Sequence, residues 1–388
     1  MNTGKFVLAQ LLDWIHPQQF QRCVERYGGN RKVSRFTCWQ QFVCMVFAQL
    51  TWREGLRDIE ACLNSRPAQL YHLGLRGPIH RTTLADANEQ RDWRIYADLA
   101  QGLLAQARVL YAQDPLQLEL SEAVYALDAS AIELSLRLCP WARYSHCRSA
   151  VKLHTQLDLR GWLPAAVQIT PAKRSDVTWL DLLDFEPGAF YLLDRGYVDF
   201  KRLQAIQQAG AWFVTRTKAN LAYRRCASRR VDYQTGLRSD QTIQLTSWFG
   251  RHYYPDRLRR VRYYAAHTKR HLVFLTNHMD LPPLLVAQLY QQRWQVELFF
   301  RWLKQHLRIK AFYGRSENAV RTQLWIALCV YALVAIARKQ IKSQASLFEI
   351  LQILSINVFD KTPINELFAH AHPPKESTPA PNQLSLFN

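Results

Sequence analysis

Four side chains late in the chain combine residue types and spacings that suit chemistry on an anion. Tyr290, Arg293, Glu297 and Lys304 follow one another at intervals of three, four and seven positions. On one α-helix, at about 100° per residue, they fall within roughly 60° of arc. A carboxylate between two cations, beside a phenol and between apolar flanks, favours a cleft that handles anions and binds a metal ion. The alternative is a solvated helix face with Glu–Lys pairing.

Two further carboxylates follow apolar runs in the middle of the chain. Asp128 closes the run VYAL and Asp194 closes the run FYLL, so both are predicted at strand ends. A carboxylate directly after a buried run is costly unless it has a cation to hold. With Glu297, three carboxylates can converge on one cleft, and hard oxygen ligands suit two Mg²⁺ or Mn²⁺ ions. We therefore predict a two-metal site for phosphoryl transfer.

The charge of the chain favours a polyanionic partner. Its 388 residues include 50 Lys or Arg against 31 Asp or Glu, a formal net charge of +19. Each phosphate contact releases condensed counterions, so such an excess suits nucleic acid. Composition alone does not separate DNA from RNA or from an acidic membrane surface. The charge lies in β-rich sequence and not on an amphipathic helix, which argues against the membrane.

About half of the excess charge lies in one segment, residues 218–270. It holds thirteen Lys or Arg and three Asp, interleaved with eight aromatic residues. This composition is typical of a surface that contacts phosphates and stacks on unpaired bases, with Trp248 as the candidate stacking residue. The alternative is an ordinary solvated sheet.

Hydrophobic periodicity predicts an α/β protein with an all-α N-terminal domain. After about residue 119, three strands, a helix, a strand, a helix and a strand are predicted, which describes a ribonuclease-H-like mixed sheet with helices on its faces, interrupted by a β-rich insertion. The predicted domains are, in order, a helical DNA-binding domain at 1–115, the first part of the catalytic core at 116–217, the basic insertion at 218–280, the final core helix at 281–312, C-terminal helices at 313–370 and a disordered tail at 371–388.

Cysteine usage and hydropathy indicate the compartment. No pair of the eight cysteines has C-x-x-C spacing, which predicts reduced structural thiols. The longest apolar run, from Leu324 to Ala337, is too short to span a bilayer and is predicted as a core helix. A cytoplasmic protein at the bacterial nucleoid, with no membrane partner, is the expectation.

The combined motifs resemble the DDE transposases of bacterial insertion sequences, specifically the insertion-sequence-4 family. The Tyr-x2-Arg-x3-Glu-x6-Lys signature is matched in full from Tyr290 to Lys304. The Asp-Arg-Gly-Tyr block is matched from Asp194 to Tyr197, and the strand-end Asp-Ala-Ser block begins at Asp128. The resemblance covers roughly residues 75–335.

This resemblance implies roles for the motif residues. Asp128, Asp194 and Glu297 would be the catalytic, metal-binding triad. Tyr290, Arg293, Lys304 and Arg195 would contact double-stranded DNA at the transposon ends. The enzyme would cut the ends of its element through a hairpin, join the 3′ ends to target DNA and act as a homodimer on paired ends. In the family an aromatic residue of the insertion stacks on a flipped base; Trp248 is the candidate, and His271 stands where a Trp is expected.

The tail carries a second resemblance. Gln383, Leu384, Ser385, Leu386 and Phe387 look like the pentapeptide by which bacterial proteins dock on the DNA polymerase sliding clamp. A similar string, from Gln344 to Phe348, lies in a predicted helix.

Two other functions remain open on sequence grounds. A nuclease of the same fold would cut without joining, and would need the acidic triad but not the full Tyr-Arg-Glu-Lys spacing. A DNA-binding protein with an inactive catalytic domain is the second alternative, and the presence of all three carboxylates argues against it.

Overall fold

The computed structural model describes residues 4–116, 118, 120–217 and 220–369. Within these ranges the chain divides into two compact units. Of the described residues, the first unit comprises 4–112, 131–151 and 301–369, and the second comprises 113–116, 118, 120–130, 152–217 and 220–300.

Helices make up most of the first unit. Seven precede the sheet, namely α1 (Val7–Leu12), α2 (Pro17–Arg26), α3 (Cys38–Leu50), α4 (Leu56–Asn64), α5 (Pro67–His72), α6 (Arg81–Gln90) and α7 (Arg94–Tyr111). The predicted helical N-terminal region is confirmed. The first turn of α3 is fixed by a capping box, in which Thr37 and Gln40 bond each other's backbone N–H groups.

The second unit is built on a mixed sheet. The strands in the described part of the chain are β1 (Val124–Leu134), β2 (Arg143–Ser145), β3 (Arg148–Asp158), β4 (Leu163–Pro171), β5 (Phe190–Leu193), β6 (Trp212–Arg216), β7 (Tyr223–Arg229), β8 (Leu237–Leu245), β9 (Leu258–Ala265) and β10 (Arg270–Thr276). The short β2 pairs with the first residues of β3, in the first unit.

The strand order is that of a ribonuclease-H-like sheet. From β4 it runs β3, β1, β5 and β6, with β1, β5 and β6 parallel to one another. The predicted fold class is thus confirmed. The inserted strands do not form a separate sheet, because β10 pairs antiparallel with β6 and β9, β8 and β7 follow in turn.

Helices cover both faces of this sheet. Helix α8 (Phe200–Gln208) lies on one face, over a core that includes Leu127, Leu193 and Phe213. Helix α9 (Trp248–Tyr253) packs beside α8, and α10 (Pro283–Gln292) packs across β5, β6 and β10. The predicted helix around Trp179 is a 3₁₀ turn, Asp176–Leu182.

The remaining helices are α11 (Gln295–His306), α12 (Glu317–Gln340), α13 (Leu347–Asn357) and α14 (Ile364–Ala369). Helix α12 is long and apolar enough to cross a membrane, but 94% of its most apolar stretch is buried. It packs against α3, α6, α7 and α13 within the first unit. This is the expected core helix, extended at both ends.

Candidate active site

Three chain segments bring acidic side chains to one end of the parallel strands in the second unit. Asp194 follows directly on the last residue of β5, as predicted. Asp128 does not close β1, as the sequence predicted, but lies within it, because β1 continues to Leu134. Asp128 nevertheless follows directly on Leu127, the last residue of β1 that pairs with β5, and the partner of Leu127 is Leu193. Asp128 and Asp194 therefore lie at the same end of these two strands.

The expected single helix from Tyr290 to Lys304 is wrong. Helix α10 ends at Gln292 and α11 begins at Gln295. Between them the backbone tightens into bonds that span three residues, including Arg293 N–H to the Tyr290 carbonyl and Glu297 N–H to the Trp294 carbonyl. The chain therefore turns at Arg293, at a place without Gly or Pro.

Arg293 contacts two of the three carboxylates despite this break. Its Nη2 donates to Glu297 Oε1 at 2.6 Å, and its Nη1 lies 3.8 Å from Asp128 Oδ2. The side chain is 12% exposed, and its Nε and Nη1 are buried without a hydrogen-bond partner. Burial by itself lowers the pKa of Arg293, but its electrostatic interactions with Tyr290, Glu297 and Asp128 leave the pKa raised. The guanidinium thus stays charged.

Tyr290 reaches the third carboxylate. Its hydroxyl lies 3.4 Å from Asp194 Oδ1, and its ring packs on Phe274 of β10, with 5.1 Å between centroids. The Arg293 guanidinium lies 5.8 Å from the centre of the same ring. Burial raises the pKa of Tyr290, so the phenol stays protonated and can donate.

The Asp128 carboxyl is harder to ionise than that of a free aspartate. Burial, with added repulsion from Glu297 and Asp194, raises its pKa to about 6. The Ala129 N–H donates to Asp128 Oδ1 at 2.8 Å, and this bond lowers the pKa of Asp128, as does the charge of Arg293. Together they do not cancel the increase in pKa. A second positive charge would relieve this repulsion.

The side chains as placed do not form a metal cage. Among the described residues no three Asp, Glu, His or Cys side chains stand close enough together to hold an ion. The donor set nevertheless fits Mg²⁺ or Mn²⁺, since it offers the hard carboxylate oxygens that these ions prefer. Arg293 bonds Glu297 and lies near Asp128. Its guanidinium therefore lies between two of the carboxylates that would bind the metal ion.

The other predicted residues that the structure describes lie on three different elements. Arg195 is exposed in the turn after Asp194. Trp248 is 67% exposed at the start of α9, where it contacts Phe249 and His252. Lys304 lies two turns after Glu297 on α11, in the first unit, and burial lowers its pKa. The pentapeptide Gln383–Phe387 lies outside the described residues.

Sequence reasoning missed Arg216, the last residue of β6. It stands opposite Phe274 in the β6–β10 pairing, and its charge acts on Tyr290. The sequence contained a signal for Arg216, because this residue ends a strand parallel to β5 and the carboxyl ends of parallel strands meet at one edge of the sheet. Arg259, by contrast, was counted with the phosphate-binding surface but is buried, in a bidentate pair with Asp240.

Comparison with known proteins decides the family. Residues 119–333, more than half of the chain, match the family model of the transposase DDE domain. The chain belongs to the DDE transposase family. Residues 3–76 of this transposase also match a domain of unknown function, DUF4372. The resemblance to insertion-sequence transposases is thereby confirmed.

Several relatives carry transposase names. The DDE transposase is 36% identical over 262 residues to a protein named as transposase y4zB, from Sinorhizobium fredii, covering 66% of this chain and 71% of the relative. It is 31% identical over 222 residues to one named for insertion sequence element IS5377, from Geobacillus stearothermophilus, covering 57% and 58%. It is 21% identical over 273 residues to one named for IS4SA, from Synechocystis, covering 68% and 73%.

Among solved structures, the DDE transposase is similar to a cryo-EM structure of the piggyBac transposase synaptic complex with hairpin DNA. The TM-score is 0.46 and the sequence identity 8%, with 99% of this chain and 84% of the other covered.

Proposed function

We propose that this transposase binds the terminal inverted repeats of its own insertion sequence, cuts the element ends and joins the freed 3′ ends to target DNA. The observation that carries the proposal is the contact set of Arg293, which lies against Asp128 and Glu297 while Tyr290 next to it reaches Asp194. Three carboxylates and one buried arginine at a sheet edge suit phosphoryl transfer.

Each side chain of the cluster has its own role in the proposed reaction. Asp128, Asp194 and Glu297 would hold two divalent ions, Mg²⁺ or Mn²⁺, which activate a nucleophile and neutralise charge on the phosphate when bound. Arg293 keeps two unpartnered donors, Nε and Nη1, that can turn to a phosphate oxygen. Tyr290, held protonated, orients Asp194 through its hydroxyl. Hydrolysis at the element end frees a 3′ hydroxyl, which attacks the opposite strand, forms a hairpin and releases the flanking DNA. A second hydrolysis reopens the hairpin and restores the 3′ hydroxyl that attacks the target strand.

DNA would be held by surfaces outside this cluster. Strand β7 is the edge of the sheet and exposes Arg224, Arg225 and Arg229. On β9, Arg260 packs on the Tyr223 ring at 5.0 Å, which holds the guanidinium in place. Arg195 and Lys304 would contact phosphates near the cut, and exposed Trp248 would stack on a base.

We further assign the enzyme to the insertion-sequence-4 type, with the complete Tyr-Arg-Glu-Lys signature and the similarity to the IS4SA protein as support. It would act as a homodimer on paired ends, at the nucleoid in the cytoplasm. The domain limits predicted from the sequence, with DNA binding at 1–115, belong to the same proposal. Residues 383–387 would dock on the sliding clamp.

The test uses purified protein and a supercoiled plasmid that carries the DNA flanking its gene. With Mg²⁺ or Mn²⁺, we expect paired cuts at inverted repeats, with hairpin ends, and no cuts by Glu297→Gln. Glu317→Gln is the matched control, since Glu317 also lies in the first turn of a helix and pairs with an arginine one turn away.

The other outcomes identify the alternatives. Nicking without sequence preference would indicate a nuclease that does not join. Tight end binding without any cut would indicate a DNA-binding protein, and normal cleavage by Glu297→Gln would refute the triad.

A further inference from the structure

Tyr197 buries a hydroxyl that has no partner. The residue ends the short 3₁₀ turn Arg195–Tyr197 that follows Asp194, and its backbone N–H donates to the Asp194 carbonyl at 3.0 Å. Its side chain is 3% exposed, and its ring packs in the core cluster with Leu127, Leu193 and Val198. The hydroxyl oxygen is buried without a hydrogen bond.

A buried hydroxyl without a hydrogen-bond partner destabilises the folded protein, so its presence calls for an explanation. A buried hydroxyl that loses water and gains no partner destabilises a protein, and phenylalanine would fill the same space without this penalty. Buried polar atoms without partners are few in native proteins, and each calls for an explanation such as a bound water, an ion or a catalytic role. Packing alone therefore does not account for a tyrosine here.

The surroundings of the hydroxyl are acidic. Burial raises the pKa of Tyr197, and the next contributions come from the charges of Asp128, Asp176 and Asp194, in that order. Asp176 is already paired, since Lys152 Nζ donates to it at 2.8 Å. The other two are carboxylates of the proposed triad. The phenol remains protonated, so it can donate a hydrogen bond to a carboxylate.

We propose that Tyr197 is a positioning residue of the cleavage site. In the state that binds divalent ions, its hydroxyl donates to the Asp128 carboxylate, directly or through one water, and holds it where it binds the ion. The inference rests on the proposed function, because it assumes that Asp128 is a metal ligand. Tyr197 itself touches neither metal nor DNA.

The experiment compares two tyrosine-to-phenylalanine variants of the full chain. Tyr197→Phe removes the unpartnered hydroxyl. Tyr191→Phe is the control, because Tyr191 lies in the same core cluster, is 0% exposed, and has its hydroxyl bonded by the Glu186 N–H at 2.8 Å. Thermal unfolding is recorded without metal and then across a Mn²⁺ titration, and plasmid cleavage is measured across the same titration.

The two variants should differ in unfolding temperature and in their response to Mn²⁺. Without metal, Tyr197→Phe should unfold at or above the wild-type temperature, whereas Tyr191→Phe should unfold below it. The Mn²⁺ concentration at half-maximal stabilisation should rise about tenfold or more in Tyr197→Phe, the range expected for a lost bond to a charged group, and stay unchanged in Tyr191→Phe. The cleavage midpoint should move in parallel.

Two results would overturn the inference. A Tyr197→Phe midpoint within about twofold of wild type would show that the hydroxyl does not serve the metal site. A loss of stability without metal would show that the hydroxyl is already bonded in that state. Failure of the wild type to cut DNA would instead count against the proposed function, and the metal-induced shift in unfolding temperature would still decide the role of Tyr197.

Discussion

The buried pair of Arg259 and Asp240 should be the costliest single ion pair to break in the second unit. Arg259 Nε and Nη2 each donate to a separate Asp240 oxygen at 2.8 Å, and both side chains are 2% exposed. Nη1 of Arg259 donates to the carbonyl of Met279 at 3.0 Å and to that of Leu281. The pair thus joins β8 and β9 to the segment that leads into α10, which carries Tyr290.

Asp240→Asn leaves the arginine charge buried and uncompensated. Removing one partner of such a pair destabilises a protein by about 3–5 kcal/mol. Arg229 offers an internal control, because its Nη1 lies 3.5 Å from the same Asp240 but its side chain is 40% exposed. Arg229→Gln should therefore cost less than about 1 kcal/mol.

Urea unfolding followed by circular dichroism measures the difference, and urea is preferred because guanidinium would screen the charges. The double variant Asp240→Leu, Arg259→Met should be milder than the sum of its single changes, by about 1–3 kcal/mol. Equal costs for Asp240→Asn and Arg229→Gln would refute the reasoning, because burial would then not decide the strength of the pair.

Three further predictions concern the site and the tail. Asp128 has a folded-state pKa of about 6, against about 3.9 for a free aspartate. The folded protein therefore holds this proton more tightly than the unfolded chain does, which stabilises the fold at low pH by about 3 kcal/mol. This contribution is lost as pH rises through 6. Mn²⁺ should consequently raise Tm strongly at pH 7.5 and little at pH 5, and an effect independent of pH, or one retained in Asp128→Asn, would contradict this. Lys304→Ala should weaken binding to element ends and reduce the salt slope by about one, measured by fluorescence anisotropy at several salt concentrations; an unchanged slope would exclude a phosphate contact. Deleting residues 383–388 should abolish co-elution with the sliding clamp, and retained binding would exclude the tail pentapeptide as the docking site.

Much of the fold follows from local patterns in the sequence. The apolar runs that end at Leu127 and Leu193 are strands because both faces of a central parallel strand are buried. Their pairing brings Asp128 and Asp194 to one edge, so two of the three carboxylates could be placed without coordinates. The length of β1 was misjudged, although the residues from Ala129 to Leu134 alternate as a strand does and nothing marks an end at Asp128.

The break at Arg293 was beyond sequence reasoning. The segment contains no Gly or Pro, and its helical spacing is uninterrupted. The turn is instead accompanied by tertiary contacts, in which Arg293 meets both Asp128 and Glu297 and Tyr290 packs on Phe274. Arg259 was misjudged for a related reason, since the sequence reports the sign of a charge but not its burial.

The break between α10 and α11 has an electrostatic consequence for Glu297. In one continuous helix this carboxylate would stand in mid-helix, where the backbone dipoles of neighbouring turns offset each other. Because α11 begins at Gln295, Glu297 stands instead in a first turn, close to the positive end of the helix macrodipole. A negative charge there is favoured by about 0.3–1 kcal/mol. The turn at Arg293 therefore supplies Glu297 with a second source of positive potential, one that does not leave when the arginine side chain moves.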